Sequence, residues 1–283
     1  MNEQDFTVRP EIGRKIRLIV TERNRGYGTA CNIGARATDA PLLLFLNDDT
    51  YLKESCLAEL HRFMSVEERV LLQPIIYHEY AGQVRAGNPC DIFGAAGLGV
   101  YGNCGTGEFF ASGACLAVSK VDYHSLGGFD EKLFLYYDDV DLSWRARLMG
   151  LKVSAVRTTL CVHAGAGSSA VMPHMVKFYL TQRNRLRVMI KNYSTLRTIT
   201  RCPIAIFFTI GGAFFFAIRT RLCGYMNYGM RALAWNLIVL RSTLRDRYSV
   251  QERRVLEDKA IEKAMCKTSM DTCVLKRYIT TLQ

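Results

Sequence analysis

Two periods of apolar and polar residues run along the first two thirds of the chain. Ile16 to Thr21 alternates loosely and predicts a short strand. Glu22 to Gly28 (ERNRGYG) predicts a loop, and Thr29 to Thr38 a short helix. Pro41 to Leu46 is a continuous apolar run, the pattern of a parallel strand buried on both faces, and Asn47-Asp48-Asp49-Thr50 follows at its carboxyl end. Glu54 to Met64 places Leu57, Leu60 and Met64 on one side of an amphipathic helix. Val70 to Tyr77 predicts another strand, and its Pro74 argues for an edge or irregular position. Residues 81–107 contain eight glycines and predict a long loop or loose hairpin, whose length suggests a functional or mobile region. Phe109 to Val118 predicts a strand and Ser119 to Leu126 a short helix. A final strand, Leu151 to Val162, ends in His163 before the Gly/Ser-rich Ala164 to Ala170. Strands alternating with helices imply an α/β fold with a mostly parallel sheet flanked by helices. In such sheets ligands bind at the carboxyl ends of the strands, where Asn47-Asp48-Asp49 and His163 fall.

From Met175 onward the pattern is helical and basic. Pro203 to Ile218 runs for sixteen residues with one Thr and no charge, between Arg197 and Arg201 on one side and Arg219 and Arg221 on the other. A spanning helix needs about 20 apolar residues, so this run falls just short. A membrane-embedded or interfacial helix and a buried core helix both remain open. The net charge of +11 concentrates here. Residues 1–176 hold 17 Lys+Arg against 20 Asp+Glu, residues 177–254 hold 15 against 2, and residues 255–283 hold 5 against 4. The chain therefore divides into residues 1–170 and a helical basic region, 171–283, suited to anionic membrane. The apolar run inside the basic segment fits lipid better than nucleic acid, so no nucleic-acid partner is expected.

The ten cysteines form no CxxC pair and no zinc-site spacing, which predicts reduced thiols and a cytosolic setting. The polar first fifteen residues lack an apolar h-region, so no secretory signal is expected.

Candidate chemistry gathers at four places. Asp48-Asp49 after a strand suits either a turn or a Mg²⁺ or Mn²⁺ site, since such ions take oxygen ligands. His163 is a surface or hydrogen-bonded residue, or the ligand that completes a Mn²⁺ site with Asp49. The glycines of ERNRGYG permit close approach to a phosphate or sugar, yet match neither common phosphate motif. Gly127 to Gly150 places Asp138, Asp139 and Asp141 at the first turn of a helix, with Gly150 as its C-terminal stop. Asp139 there is either a general base or part of a solvated acidic turn, with Asp141 paired to Arg145.

In this order the segments resemble the family 2 glycosyltransferases, especially their rhamnosyltransferase-like branch with a GT-A fold. Asn24-Arg25-Gly26 through Asn32-Ile33-Gly34 is similar to the family's N-x-G-x-x-x-x-x-N-x-G element, and Leu46-Asn47-Asp48-Asp49-Thr50 to its L-N-x-D-T. Gly127 to Arg145 matches the signature G-G-F-D-E-x-x-F-x-Y-x-E-D-x-D-L-x-x-R, with Asp138 in place of Glu. Val162-His163 resembles the closing strand, and Lys177 to Tyr193 the basic helix after the catalytic region.

The resemblance implies an inverting transfer from a nucleotide-diphosphate sugar to a hydroxyl of a glycan or lipid-linked acceptor, in cell-surface polysaccharide synthesis at the cytoplasmic membrane face. By motif position Asp49 and His163 would hold a divalent metal, Asp139 would be the base, and Asn24, Gly26, Asn32 and Asp48 would contact the donor. The family opens with a strand and an Asp-bearing loop that find no match before Ile16, so a sheet without its first strand is expected. The alternative is a truncated, catalytically impaired remnant that acts as a binding or membrane-associated protein.

Overall fold

The computed structural model describes residues 16–97, 108–165 and 172–273. Much of the glycine-rich 81–107 stretch and most of the 164–170 loop lie outside the described residues. The elements run α1 (Tyr27–Arg36), β1 (Leu42–Leu46), β2 (Thr50–Leu52), α2 (Cys56–Val66), β3 (Val70–His78), β4 (Gln83–Arg85), β5 (Cys115–Ser119), α3 (Lys120–Leu126), α4 (Asp138–Leu148) and β6 (Lys152–His163). Five helices follow: α5 (His174–Asn192), α6 (Thr195–Thr220), α7 (Gly224–Ile238), α8 (Leu240–Glu252) and the short α9 (Asp258–Ile261).

The sheet order is β1-β5-β3-β6-β2, with β4 also on β3. It is mixed rather than mostly parallel. Only β3 and β6 pair in parallel, while β5 lies antiparallel between β1 and β3. The helix-linked strands β1, β3 and β6 still share one direction. The long connection before β5 lets that strand enter reversed, which a period count cannot show. As a result, the carboxyl ends of β1, β3 and β6 and the amino end of β5 meet along one rim.

Local patterns explain several departures. Residues 16–20 form no strand and are exposed, because no described strand pairs with them. β1 stands at the end of the sheet. Leu43 and Phe45 are buried, Leu42 and Leu44 are half-buried with Leu44 against a second cluster, and Leu46 is exposed, so β1 is fully covered on one face and partly on the other. The strand buried on both faces is β3, which sits centrally despite Pro74. Pro74 does mark an irregularity: the register with β6 shifts between Pro74 and Ile75. Helix α2 buries Cys56 and Leu60, one turn apart, and leaves Leu57 in solvent. The predicted strand from Phe109 shortens to Cys115–Ser119, and Ser119 caps α3 by accepting from the Asp122 amide.

Helices α5, α6 and α8 pack onto α4 through one apolar cluster containing Trp144, Phe109, Tyr193, Met189, Ala205 and Val250. The architecture changes near residue 170, but the core runs on across it. Eight described cysteines are free thiols, and Cys266 is disulfide-bonded, which corrects the expectation that all are reduced.

Candidate active site

The rim formed by the co-directional strands carries the expected residues. Asn47 to Thr50 turns tightly after β1: the Thr50 amide donates to the Asn47 carbonyl at 3.2 Å. Asp48 is exposed and Asp49 half-buried on this turn. Strand β2 then pairs with the end of β6, Thr50 opposite His163. This places His163 Nε2 3.2 Å from Asp49 Oδ1. Sequence reasoning missed His78, which ends β3 beside His163 in the parallel register. The two Nδ1 atoms are 3.2 Å apart, so one of the rings donates to the other. His78 is buried, and burial lowers its pKa to about 4, with His163 and Arg85 adding to the effect. The signal was present in the sequence: β3 and β6 both end in His.

Asp49 and His163 offer an oxygen and a nitrogen donor at close range. If His163 donates from Nδ1 to His78, its Nε2 lone pair faces the carboxylate, and two acceptors at 3.2 Å need a proton or a cation between them. This donor set suits Mn²⁺. Among the described residues no group of three or more His, Cys, Asp or Glu side chains is poised to hold a metal.

The second half of the site is built by residues 127–145. Gly127 and Gly128 both have positive φ, 82° and 69°. A Cβ on Gly128 would stand 2.6 Å from Asn32 Oδ1. Asn32 was expected to contact the donor. Instead its amide holds this turn: Nδ2 donates to the Phe129 carbonyl and Glu131 Oε1, and Oδ1 accepts from the Phe129 amide and the Tyr123 hydroxyl. All four hydrogen-bonding positions of that amide are used. Gly26, φ 88°, lies against the same segment, where a Cβ would meet the Phe134 carbonyl oxygen at 2.0 Å. Asn24 Oδ1 accepts from the Gly26 amide, and the Tyr27 amide donates to Phe134 O at 2.9 Å. The N-x-G…N-x-G element thus braces the signature loop.

That loop is strained. Phe134, Tyr136 and Tyr137 have φ of 67°, 68° and 70°, unusual for bulky residues. Asn184 of α5 compensates by donating from Nδ2 to the carbonyls of Leu133, Leu135 and Tyr136 at 2.9, 2.9 and 2.8 Å. Arg183 donates to Leu133 O as well. Asp138 and Asp139 follow as the first residues of α4.

The three carboxylates part company here. Asp141 is fully buried and ion-paired to Arg145 at 2.7 Å and Lys191 at 2.8 Å. Asp138 is buried too, and burial together with Asp139 pushes its carboxyl well up. The expected Asp141–Arg145 pair forms, but it and Asp138 are buried rather than solvated. Asp139 alone stays partly exposed. Its Oδ2 accepts from the Gly113 amide at 3.0 Å and its Oδ1 from the Val140 amide at 2.9 Å. Dense surroundings raise its pKa, and these amides pull it partly back.

The turn Ser112–Ala114 joins the two halves. Gly113 N holds Asp139, the Tyr27 hydroxyl donates to Gly113 O at 2.7 Å, and the Asn47 amide donates to Ala114 O at 3.1 Å. Gln73 Oε1 fixes the turn from below by accepting from the Ser112 amide. The Ser112–Ala114 turn therefore bonds to Asp139 on one side and, through Asn47, to the start of the Asp48-Asp49 turn on the other.

The chain is similar to known glycosyltransferases. Residues 7–120 match the family model described as glycosyl transferase family 2. The low-salt glycan biosynthesis hexosyltransferase Agl10 of Haloferax volcanii is 23% identical over 181 residues, 60% of this chain and 59% of that protein. The dTDP-rhamnosyl transferase RfbF of Shigella flexneri is 24% identical over 214 residues, 69% of this chain and 71% of that one. The chain thus spans under two thirds of the first relative's length. The crystal structure of GalNAc-T7 with UDP, GalNAc and Mn2+ superposes with a TM-score of 0.51 at 15% identity, covering 66% of this chain and 41% of that one. The fold is GT-A, and residues 7–120 of the chain are similar to glycosyltransferase family 2.

Proposed function

We propose that this chain transfers a sugar, with inversion, from a nucleotide-diphosphate sugar to a hydroxyl of a glycan or lipid-linked acceptor. The setting is cell-surface polysaccharide synthesis at the cytoplasmic face of the membrane. The observation that carries the reading is Asp139: partly exposed, fixed by the Gly113 amide, raised in pKa, and linked through the Ser112–Ala114 turn to the turn that carries Asp49. In the reaction Asp139 accepts the acceptor hydroxyl proton as that oxygen bonds to the anomeric carbon and the bond to the diphosphate breaks. A single displacement inverts the centre and needs no covalent enzyme intermediate. A divalent metal on Asp49 and His163 would neutralise charge on the leaving diphosphate. Exposed Asp48 and the Asn24–Gly26 turn border the rim and are assigned to the donor.

RfbF is named for dTDP-rhamnose, and GalNAc-T7 was crystallised with UDP and Mn2+. Turnover of dTDP- and UDP-sugars with Mn²⁺ is therefore the test. Active wild type and inactive Asp139→Asn are expected, and equal turnover by the two proteins rules out Asp139 as base. The second reading, a binding protein without turnover, is favoured by the outer edge of β1, which no described strand covers. Micromolar donor binding by calorimetry with no transfer to any acceptor would support it.

A further inference from the structure

Helix α6 is apolar on its outward side. Leu196, Ile199, Phe207, Ile210, Phe214 and Ile218 recur at helical spacing along one face and are 41–70% exposed. The buried face is made of small side chains, Cys202, Ala205, Thr209 and Ala213. A soluble helix packs the other way round. The row runs over 23 residues, so it is about 33 Å long, and nothing among the described residues covers it. The helix is long and apolar enough to cross a membrane, but by length and composition only.

Its inner face decides between crossing and lying flat. Cys202 and Ala205 belong to the cluster containing Trp144 and Tyr193. Thr209 donates to Gln182 Oε1 of α5 at 2.9 Å, and Ala213 packs so closely on Gly229 of α7 that a Cβ there would stand 2.9 Å away. Crossing would pull this face out of the core and expose the Thr209 hydroxyl to hydrocarbon. Only the outer row is free to enter lipid.

Charge names the surface. From Thr195 to Arg245 the sequence holds seven arginines and not one Asp or Glu. Arg197 and Arg201 lean on Glu262. Arg219, Arg221, Arg231, Arg241 and Arg245 are exposed on α6–α8 and their connections. A second copy docking row to row would add its own arginines to an end where Glu262 is already paired with Arg197 and Arg201. Anionic headgroups match both the basic rim and the apolar row.

We infer that α6 lies in the plane of an anionic bilayer surface with its outer apolar row inserted, and docks the enzyme as a peripheral protein. This deepens the membrane placement proposed above, and its test needs no sugar transfer, so the two readings fail separately. Full-length protein is floated with vesicles of phosphatidylcholine alone or with phosphatidylglycerol. Wild type should float with the anionic vesicles, more weakly at high salt, and leave them on alkaline extraction. Phe207→Ser/Phe214→Ser, both at exposed positions, should keep its melting temperature and bind at least about tenfold more weakly. Equal flotation of variant and wild type would overturn the inference. So would resistance to alkaline extraction, which indicates crossing. A concentration-dependent dimer lost in the variant, without vesicle binding, would assign the row to a second copy and also overturn it.

Discussion

Asp138, Asp139 and Asp141 are the same residue type within four positions, and their surroundings give them three different roles. Asp141 is neutralised by buried cations, Asp138 is sealed in, and Asp139 keeps solvent access and two amide donors. Asp139→Asn should lower turnover by about 10²–10⁴-fold with little change in melting temperature. Because the pKa of Asp139 is raised, it keeps its proton to higher pH than an ordinary carboxyl. The acid limb of kcat/KM should therefore lie above pH ~4, with the rate falling as pH drops through it. Asp49→Ala should abolish any rise in melting temperature produced by Mn²⁺, which for wild type at 100-fold over Kd is worth about 2.7 kcal/mol. Thermal melts with and without the ion read this independently of turnover.

At the scale of elements, the strained loop 133–137 and helix α5 are one device. The loop's left-handed residues aim its carbonyls at a single amide, Asn184, which α5 presents from about fifty residues downstream. Asn184→Ala leaves three carbonyls without that donor and should cost about 2–4 kcal/mol in urea unfolding. Turnover should fall along with it, because the loop carries Asp139. The signature stretch itself was legible in the sequence, since its glycines, aromatics and acids stand in fixed order. Its dependence on Asn184 was not, because a lone Asn in a basic helix has no pattern. The same limit hid the true part played by Asn32. Its position in a motif suggested a ligand contact, and only the four partners of its amide show that it braces Phe129.

Over the whole molecule, the excess positive charge of residues 177–254 is not a single surface. Arg187 and Lys191 are buried on Asp130, Lys191 also reaches Asp141, and Arg187 continues to Asp246 of α8. Burial pushes the carboxyls of Asp130 and Asp141 up, yet the cations beside them outweigh it and hold both below the usual range. Their contribution to stability is therefore complete above the unfolded carboxyl pKa of about 3.9 and is lost as pH falls through the lower folded values. Arg187→Met removes one of the two cations on buried Asp130 and leaves Lys191; it should cost up to about 3–5 kcal/mol, with acid unfolding starting at higher pH. Circular dichroism across a pH series would show both effects. The exposed arginines that remain lie on α6–α8 and their connections, so the region read as one basic block holds both buried ion pairs and solvated charge.

The sequence by itself determined the α/β class, the positions of β1, β3, β6 and most helices, the signature loop, and the carboxyl-end placement of Asp49 and His163. Each of these follows from local periodicity or from order along the chain. Only the tertiary structure decided that the sheet is mixed, that β3 is central, that His78 backs His163, and that α6 turns its apolar face outward. These depend on which strand enters beside which and on which partner occupies a face, and those pairings join residues far apart in the chain.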